Sequence, residues 1–290
     1  MTKLKTNLSD INDRQHFIDR YVDMHMHTTA SDGSYHPWQV IKGAYKKGIK
    51  IISVTDHDSV AGVLEANDTA VSLGMEFHTG IEMTTDILLP DYYIGGELVG
   101  RPLLTELHIL GYDIDTANEK VLEFCHETAF LREEYNLRIM EYLEKNYGVT
   151  KDDIGRQHIK GYLGKPQIAE AFQATGVMES IDEIKEKVFT SKEFLKIKKN
   201  RLMAETAIQA INDAGGEAVL AHPGRVKYIG ARESQDFFMN MDLILQQLIK
   251  YGAKGLECVY LRHTDPEKKR FLDLAKKYDL MPTRGTDFHS

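Results

Sequence analysis

Short β-branched runs alternate along most of the chain with stretches whose apolar residues recur at helical spacing, a pattern that predicts an α/β fold. Strands are expected over 21–25, 49–55, 75–81, 106–112, 217–221, 255–260 and 280–283. Helices are expected over 37–47, 59–73, 201–214, 234–251 and 266–278; Pro266 after Asp265 suits a helix start and Gly215-Gly216 a stop. The alternation breaks between Thr116 and Asn200, which reads as almost purely helical. That stretch opens with a long charged segment over 118–146 that Gly148 can terminate. Gly164-Lys165-Pro166 then starts a short helix closed near Gly176, and Ser180 with Glu183 forms a capping box for the next. The expected organisation is a strand–helix domain over 20–115 and 201–290, interrupted by a helical insertion over 116–200 that joins two parts of the domain or covers the site as a lid.

Composition narrows the class. With 290 residues, 42% hydrophobic and 28% charged, the chain can bury a sizeable core and does not read as disordered. No apolar run approaches the roughly 18 residues a membrane span needs. The first residues, MTKLKTNLSDINDRQHF, lack a continuous apolar signal core, so a cytoplasmic protein with no membrane partner is expected. Cys125 and Cys258 lie far apart and in no CxxC pairing, which removes a disulfide framework and a thiolate zinc site. The net charge of −8 argues against broad nonspecific coating of nucleic acid, while leaving room for a local basic groove.

The twelve histidines change the picture, because most are clustered. In Asp23-Met24-His25-Met26-His27 the imidazoles are two apart, so a strand presents both to one point and turns Met24 and Met26 the other way. Asp32 follows in a loop. The run 49–54 ends in Thr55-Asp56-His57-Asp58, the run 75–81 in Glu82, the run 218–221 in His222-Pro223-Gly224, and the last strand in Asp287-Phe288-His289. Singly, a strand-end histidine is more often a hydrogen-bonded core residue and a strand-end carboxylate more often a helix N-cap. Five such clusters of one chemical type, at the strand ends where barrel enzymes keep their chemistry, point instead to a metal site. Imidazole with carboxylate suits zinc, manganese or iron.

These motifs, with Ser31-Asp32-Gly33, Gly80-Ile81-Glu82, His108-Ile109-Leu110-Gly111-Tyr112 and Ala221-His222-Pro223-Gly224 in the same order, resemble the PHP (polymerase and histidinol phosphatase) superfamily from about residue 21 to the end. The resemblance is greatest to stand-alone phosphoesterases with a helical insertion, whose members dephosphorylate nucleotides or trim RNA from a 5′ end. It implies a distorted (β/α)7 barrel holding two or three divalent ions (Mn2+, Zn2+ or Fe2+). By resemblance, one ion falls to His25, His27, Glu82 and Asp287; a second to Glu82 as a bridge with His108 and His222; a third to Asp32, His57 and His289. His108 departs from the strand-end pattern, since it precedes an apolar run. Three divalent ions against Asp32, Glu82 and Asp287 leave about three net positive charges, which suits a phosphate dianion attacked by metal-activated water.

Outside the ligand set, Lys165 at a helix start, Arg225 directly after the Ala-His-Pro-Gly motif, and His263 after the strand 255–260 are candidate substrate contacts. The catalytic group expected is His222, Asp287, Arg225 and His263. The family pattern has a histidine where this chain has Gln167, which cannot transfer a proton. Lys192, Lys196, Lys198, Lys199 and Arg201 form either a track for a nucleic-acid backbone or a solvated helix face. His16, His36, His78, His126 and His158 fit no motif. The first expectation is a phosphatase acting on a small phosphorylated substrate, a nucleotide with 5′ or 3′,5′ phosphates; the alternative is a 5′-to-3′ exonuclease on short RNA or DNA oligonucleotides. A non-catalytic module is disfavoured because all nine ligand positions are filled. An amidohydrolase, which also begins with HxH, fits the later motifs less well. No obligatory protein partner is implied.

Overall fold

The computed structural model describes residues 21–155 and 163–290; His16 and His158 lie outside the described residues. The chain divides into two compact units, one comprising residues up to Phe124 together with Leu202–Ser290, the other Cys125–Arg201. The second begins later than Thr116, at Cys125, so the first turns of the long helix, with buried Val121 and Phe124, fall in the first unit. Among the described residues, no helix is long and apolar enough to cross a membrane.

The first unit alternates strands and helices as its hydrophobic pattern demands. In order it comprises β1 (Val22–Asp23), α1 (Pro37–Lys46), β2 (Ile51–Ser53), α2 (Val63–Ser72), β3 (Glu76–His78), β4 (Gly80–Leu89), β5 (Tyr92–Ile94), β6 (Glu97–Val99) and β7 (Leu103–Tyr112). The helical unit then carries α3 (Glu119–Tyr147, begun in the first unit), α4 (Lys151–Ile154), α5 (Lys165–Thr175), α6 (Ile181–Ile184) and α7 (Lys192–Lys196). The first unit resumes with β8 (Leu202–Met203), α8 (Ala204–Asp213), β9 (Glu217–Leu220), α9 (Gln235–Tyr251), β10 (Gly255–Tyr260), α10 (Asp265–Lys277) and β11 (Met281–Gly285). Thr264 and Glu267 cap α10 reciprocally around Pro266, as the sequence predicts for a helix start.

The strands form a parallel sheet β1-β2-β3, a six-stranded sheet β11-β10-β9-β7-β4-β8 and the hairpin β5-β6, so no single closed seven-stranded sheet is present among the described residues. The two larger sheets are nevertheless joined by backbone hydrogen bonds in two places. Met24 N–H donates to Arg284 O and Asp287 N–H to His25 O on one side, and Glu82 N–H to Asp56 O and Asp58 N–H to Glu82 O on the other. The expected strand 75–81 is two strands, and the second runs on through Glu82 to Leu89, paired antiparallel with β7 along its whole length.

That antiparallel pair explains the misfit of His108. β7 also runs antiparallel to β9, with Ile109 opposite Leu220 and Tyr112 opposite Glu217. Its middle, not its end, therefore lies level with the carboxyl end of β9, and Ala221 N–H donates to His108 O. The apolar core beneath α1 and α2 is built from Ile41, Ile52, Val54, Ala66 and Ala70, with Met26. Met24 packs instead against Leu110, Tyr112, Val219 and Ala221, so the two methionines enter different cores and regular strand alternation fails between Asp23 and Met26. The helical unit has its own core, including Ile139, Leu143, Ile168, Phe172, Val188 and Phe194, and α3 and α5 end on Gly148 and Gly176, both at positive φ.

Gly285 marks the closest backbone approach at the site. A Cβ there would collide with the His25 Cβ and lie 2.7 Å from Glu257 Oε1. Gly285→Ala should destabilise the protein by about 1–3 kcal/mol, the range for overpacked interiors, read as a lower midpoint in urea unfolding at unchanged slope; a midpoint equal to wild type would contradict this packing.

Candidate metal centre

Four segments after strands (β1, β2, β9 and β11) and two strand interiors (β4 and β7) deliver the imidazoles and carboxylates. Glu82, fully buried in β4, is the hub. Its Oε1 is 2.8 Å from His108 Nδ1 and 2.8 Å from His222 Nε2. Its Oε2 is 3.1 Å from both His25 Nε2 and His27 Nε2, and 3.2 Å from His57 Nδ1. Asp287 Oδ1 lies 3.2 Å from His27 Nε2, and Asp32 Oδ1 lies 3.2 Å from His289 Nε2. All nine sequence-derived ligand candidates thus meet in one place.

Among the described residues, three sets bring possible ligand atoms within 4.8 Å of one another: His25, His27, Glu82 and Asp287; His57, Glu82 and His108; and His27, Asp32, His57 and His289. The first is the set that the family resemblance implies. The other two differ from the expectation in that His57 joins Glu82 and His108, and His27 joins the Asp32 group. His222 stays on Glu82 Oε1.

The arrangement fits divalent cations on its own chemistry. His27 Nδ1, His57 Nδ1, Glu82 Oε2 and Asp287 Oδ1 are buried without a hydrogen-bond partner. Each such orphan costs about 1–3 kcal/mol unless something pairs with it. Nε2 of His25 and Nε2 of His27 face each other at 3.2 Å, a repulsive meeting of lone pairs when neither carries a proton. Mixed imidazole and carboxylate donors are the set that divalent transition metals take.

The cluster's electrostatics are set by burial against close carboxylates. Burial opposes charging His25, yet Glu82 and Glu257 outweigh it and hold the imidazole well above its usual range. Burial is likewise overcome at His27, by Asp287 and Glu82, and at His108, by Glu82 and Glu106, both raised to about 9. At His57 burial prevails over Glu82 and pushes the group down to about 3, and burial also lowers His222. Despite burial, the surrounding imidazoles depress Glu82, Asp32 and Asp287 below the carboxylate range.

The other carboxylates of the motifs turn away and brace the backbone. Asp56 accepts from Thr28 N–H and Oγ1 and from Ser31 Oγ, tying down the loop that carries Asp32. Asp58 accepts from Thr84 N–H beside Glu82, and Asp23 from Thr286 N–H and Oγ1 beside Asp287. His222, Asp287 and Asp58 all sit at positive φ, a strain of about 1–3 kcal/mol for non-glycine residues that functional sites concentrate. Sequence reasoning missed Glu257 in β10, bonded to His25 and to the backbone of His222, and Tyr260, whose hydroxyl donates to Asp287 Oδ2. A lone acid inside the apolar run Gly255–Tyr260 was the available signal.

The expected substrate contacts divide. Arg225 lies at the cluster, donating to Asp287 Oδ2 at 2.7 Å with its side chain 46% exposed. His263 needs correction. It is buried, its Nδ1–H donates to Cys258 O and its Nε2 accepts from Gly224 N–H, so neither nitrogen is available to a substrate. It braces the loop after His222 instead. In the helical unit, the Lys165 ammonium lies over the Phe189 ring at 5.2 Å, and Gln167 Oε1 accepts from Gly164 N–H to close the start of α5. The basic run is not one helix face, because α7 ends at Lys196 and the Lys199 ammonium sits over Tyr135.

Comparison with known proteins places these features in context. The model of the PHP domain family matches residues 23–200. A 5′-3′ exoribonuclease of Haemophilus influenzae is 26% identical over 92% of this chain and 89% of its own. A phosphoribosyl 1,2-cyclic phosphate 1,2-diphosphodiesterase of Eggerthella lenta is 27% identical over 92% of this chain and 93% of its own. Among solved structures, a Bifidobacterium adolescentis protein assigned as a metal-dependent phosphoesterase superposes with a TM-score of 0.66 at 26% identity, covering 92% of this chain and 87% of the other.

Cation binding should be linked to protons. Raised His25, His27 and His108 carry protons at pH 7 in chelator-treated protein and must lose them to ligate, so uptake should release at least two protons, read by calorimetry in buffers of different ionisation enthalpy. The same raised values stabilise chelator-treated protein below the unfolded pKa of about 6.5, and that contribution is lost as pH rises through about 9. Its melting temperature should therefore fall across this window while that of cation-loaded protein does not; parallel profiles would contradict the linkage.

Proposed function

The chain belongs to the PHP domain family, and from that premise we propose that it is a metal-dependent phosphoesterase whose substrate is a small phosphorylated nucleotide. The observation that carries this reading is Glu82, a buried carboxylate with an unpaired oxygen facing three imidazoles. We read the seven strands β1, β2, β4, β7, β9, β10 and β11 as a distorted barrel, and the helical unit as its insertion.

In this reading His25, His27, Glu82 and Asp287 would hold one cation, Glu82 with His108 and His222 a second, and Asp32, His57 and His289 a third, so that each imidazole gives its one lone pair to one ion. When bound, such ions polarise phosphoryl oxygens and lower the pKa of water. The protein's own part is orientation and charge. Arg225 and Tyr260 both donate to Asp287 Oδ2, which keeps Oδ1 turned toward His27. Arg225 spends one N–H on that carboxylate, and its remaining donors at the exposed mouth suit a phosphate oxygen.

A second reading, a 5′-to-3′ exonuclease on short RNA or DNA, is favoured by the exoribonuclease relative, whose similarity spans 92% of this chain. A panel of nucleoside mono- and bisphosphates beside 5′-phosphorylated oligonucleotides, each with added manganese, separates the two. Phosphate release confined to the mononucleotides supports the phosphatase; a shortening ladder that weakens with salt supports the exonuclease. No turnover of either class would end both.

Two substitutions sharpen the test. His25→Ala should abolish turnover of whichever substrate is active. Arg225→Ala removes a charge-assisted contact of about 1.5–3 kcal/mol, so kcat/KM should fall roughly 10- to 150-fold; an unchanged kcat/KM would remove Arg225 from substrate binding.

A further inference from the structure

Glu257 stands behind the cation groups and belongs to none of them. It is fully buried in the middle of β10, in a run otherwise composed of Gly, Leu, Cys, Val and Tyr. Its Oε1 is 3.0 Å from His25 Nδ1, and its Oε2 accepts from the backbone N–H of His222 at 2.6 Å. One carboxylate therefore grips His25, a member of the first cation group, and His222, which reaches Glu82 Oε1 from the other segment of the first unit.

Each bond has a distinct consequence. A carboxylate only accepts, so its bond to His25 makes Nδ1 the protonated nitrogen and leaves the Nε2 lone pair facing Glu82, His27 and Asp287. The bond to His222 holds a backbone at φ 24°, ψ 61°, where a non-glycine residue is strained, and so aims its Nε2 at Glu82 Oε1. The group of Asp32, His57 and His289 receives no bond from Glu257.

We propose that Glu257 is a positioning residue that sets the tautomer of His25 and the backbone of His222, coupling the two cation groups that share Glu82 while leaving the Asp32 group alone. This rests on the reading that the groups hold cations. Carboxylates that orient ligating histidines typically contribute 10- to 100-fold in metal affinity. Glu257→Gln keeps the shape but cannot accept through both arms: its amide nitrogen faces either His25 Nδ1, forcing the other tautomer, or the His222 N–H, where two donors meet.

The test titrates zinc into chelator-treated wild-type and Glu257→Gln proteins against a chromophoric competitor, and records the histidine ring 15N signals of the zinc-loaded proteins. The expected result is a 10- to 100-fold loss of affinity at two sites with the remaining site unchanged, and a protonated Nδ1 on His25 in wild type. Equal weakening of every site, or none, overturns the inference, as does a His25 protonated on Nε2 in wild type. The wild-type signal decides the matter if the variant fails to fold, judged by circular dichroism. A wild-type chain that takes up no zinc overturns the cation reading as well, whereas zinc binding that is indifferent to Glu257→Gln overturns this inference alone.

Discussion

One buried carboxylate, Glu82, sets the terms for the rest of the structure. Taking a carboxylate out of water is expensive unless opposite charge or hydrogen bonds meet it. Here five imidazoles converge on its two oxygens, and one of those oxygens still has no hydrogen-bond partner. The protein accepts orphaned polar atoms at its centre, which makes sense when the group completing them is a cation. Charge balance then follows: imidazoles that hold protons in the bare cluster are those that ligation would discharge.

The fold makes this convergence possible by breaking its own regularity. A wholly parallel alternation would bring only strand ends to the site. The antiparallel pair β4 and β7 instead passes through it, so Glu82 and His108 contribute from strand interiors. Around them, carboxylates outside the cluster serve as struts: Asp23, Asp56 and Asp58 each accept a backbone N–H bond near a cluster residue, and Glu257 binds the His25 ring and the His222 N–H. His222 and Asp287 are held at positive φ within these braces. Strained, pre-set side chains of this kind exchange stability for geometry.

Much of this was legible in the chain, for physical reasons. The abrupt change from apolar runs to His57, His222 and Asp287 reports strand ends facing one point, and His25 and His27 meet there too, though not through the strand alternation their spacing suggests. The capped starts of α6 and α10 were equally readable, because capping is local chemistry. What escaped depends on partners remote in sequence. β4 was cut short at Glu82 because polar Thr84, Thr85 and Asp86 look like a loop until β7 lies beside them. Met24 and Met26 parted company because the backbone there follows β11 rather than its own alternation. His263 resembled a substrate contact, and its two backbone bonds reveal a brace. Glu257 carried a weak signal, one acid in an apolar strand, whose meaning lay in His25 and His222.

The most direct measurement of the central claim is elemental analysis of protein purified without chelator, expressed as ions per chain. Occupancy of about two or three zinc, manganese or iron ions per chain, falling when Glu82 is replaced by Gln, is the predicted result. A folded wild-type chain that carries none, and gains none on incubation with each of the three metals, would contradict it.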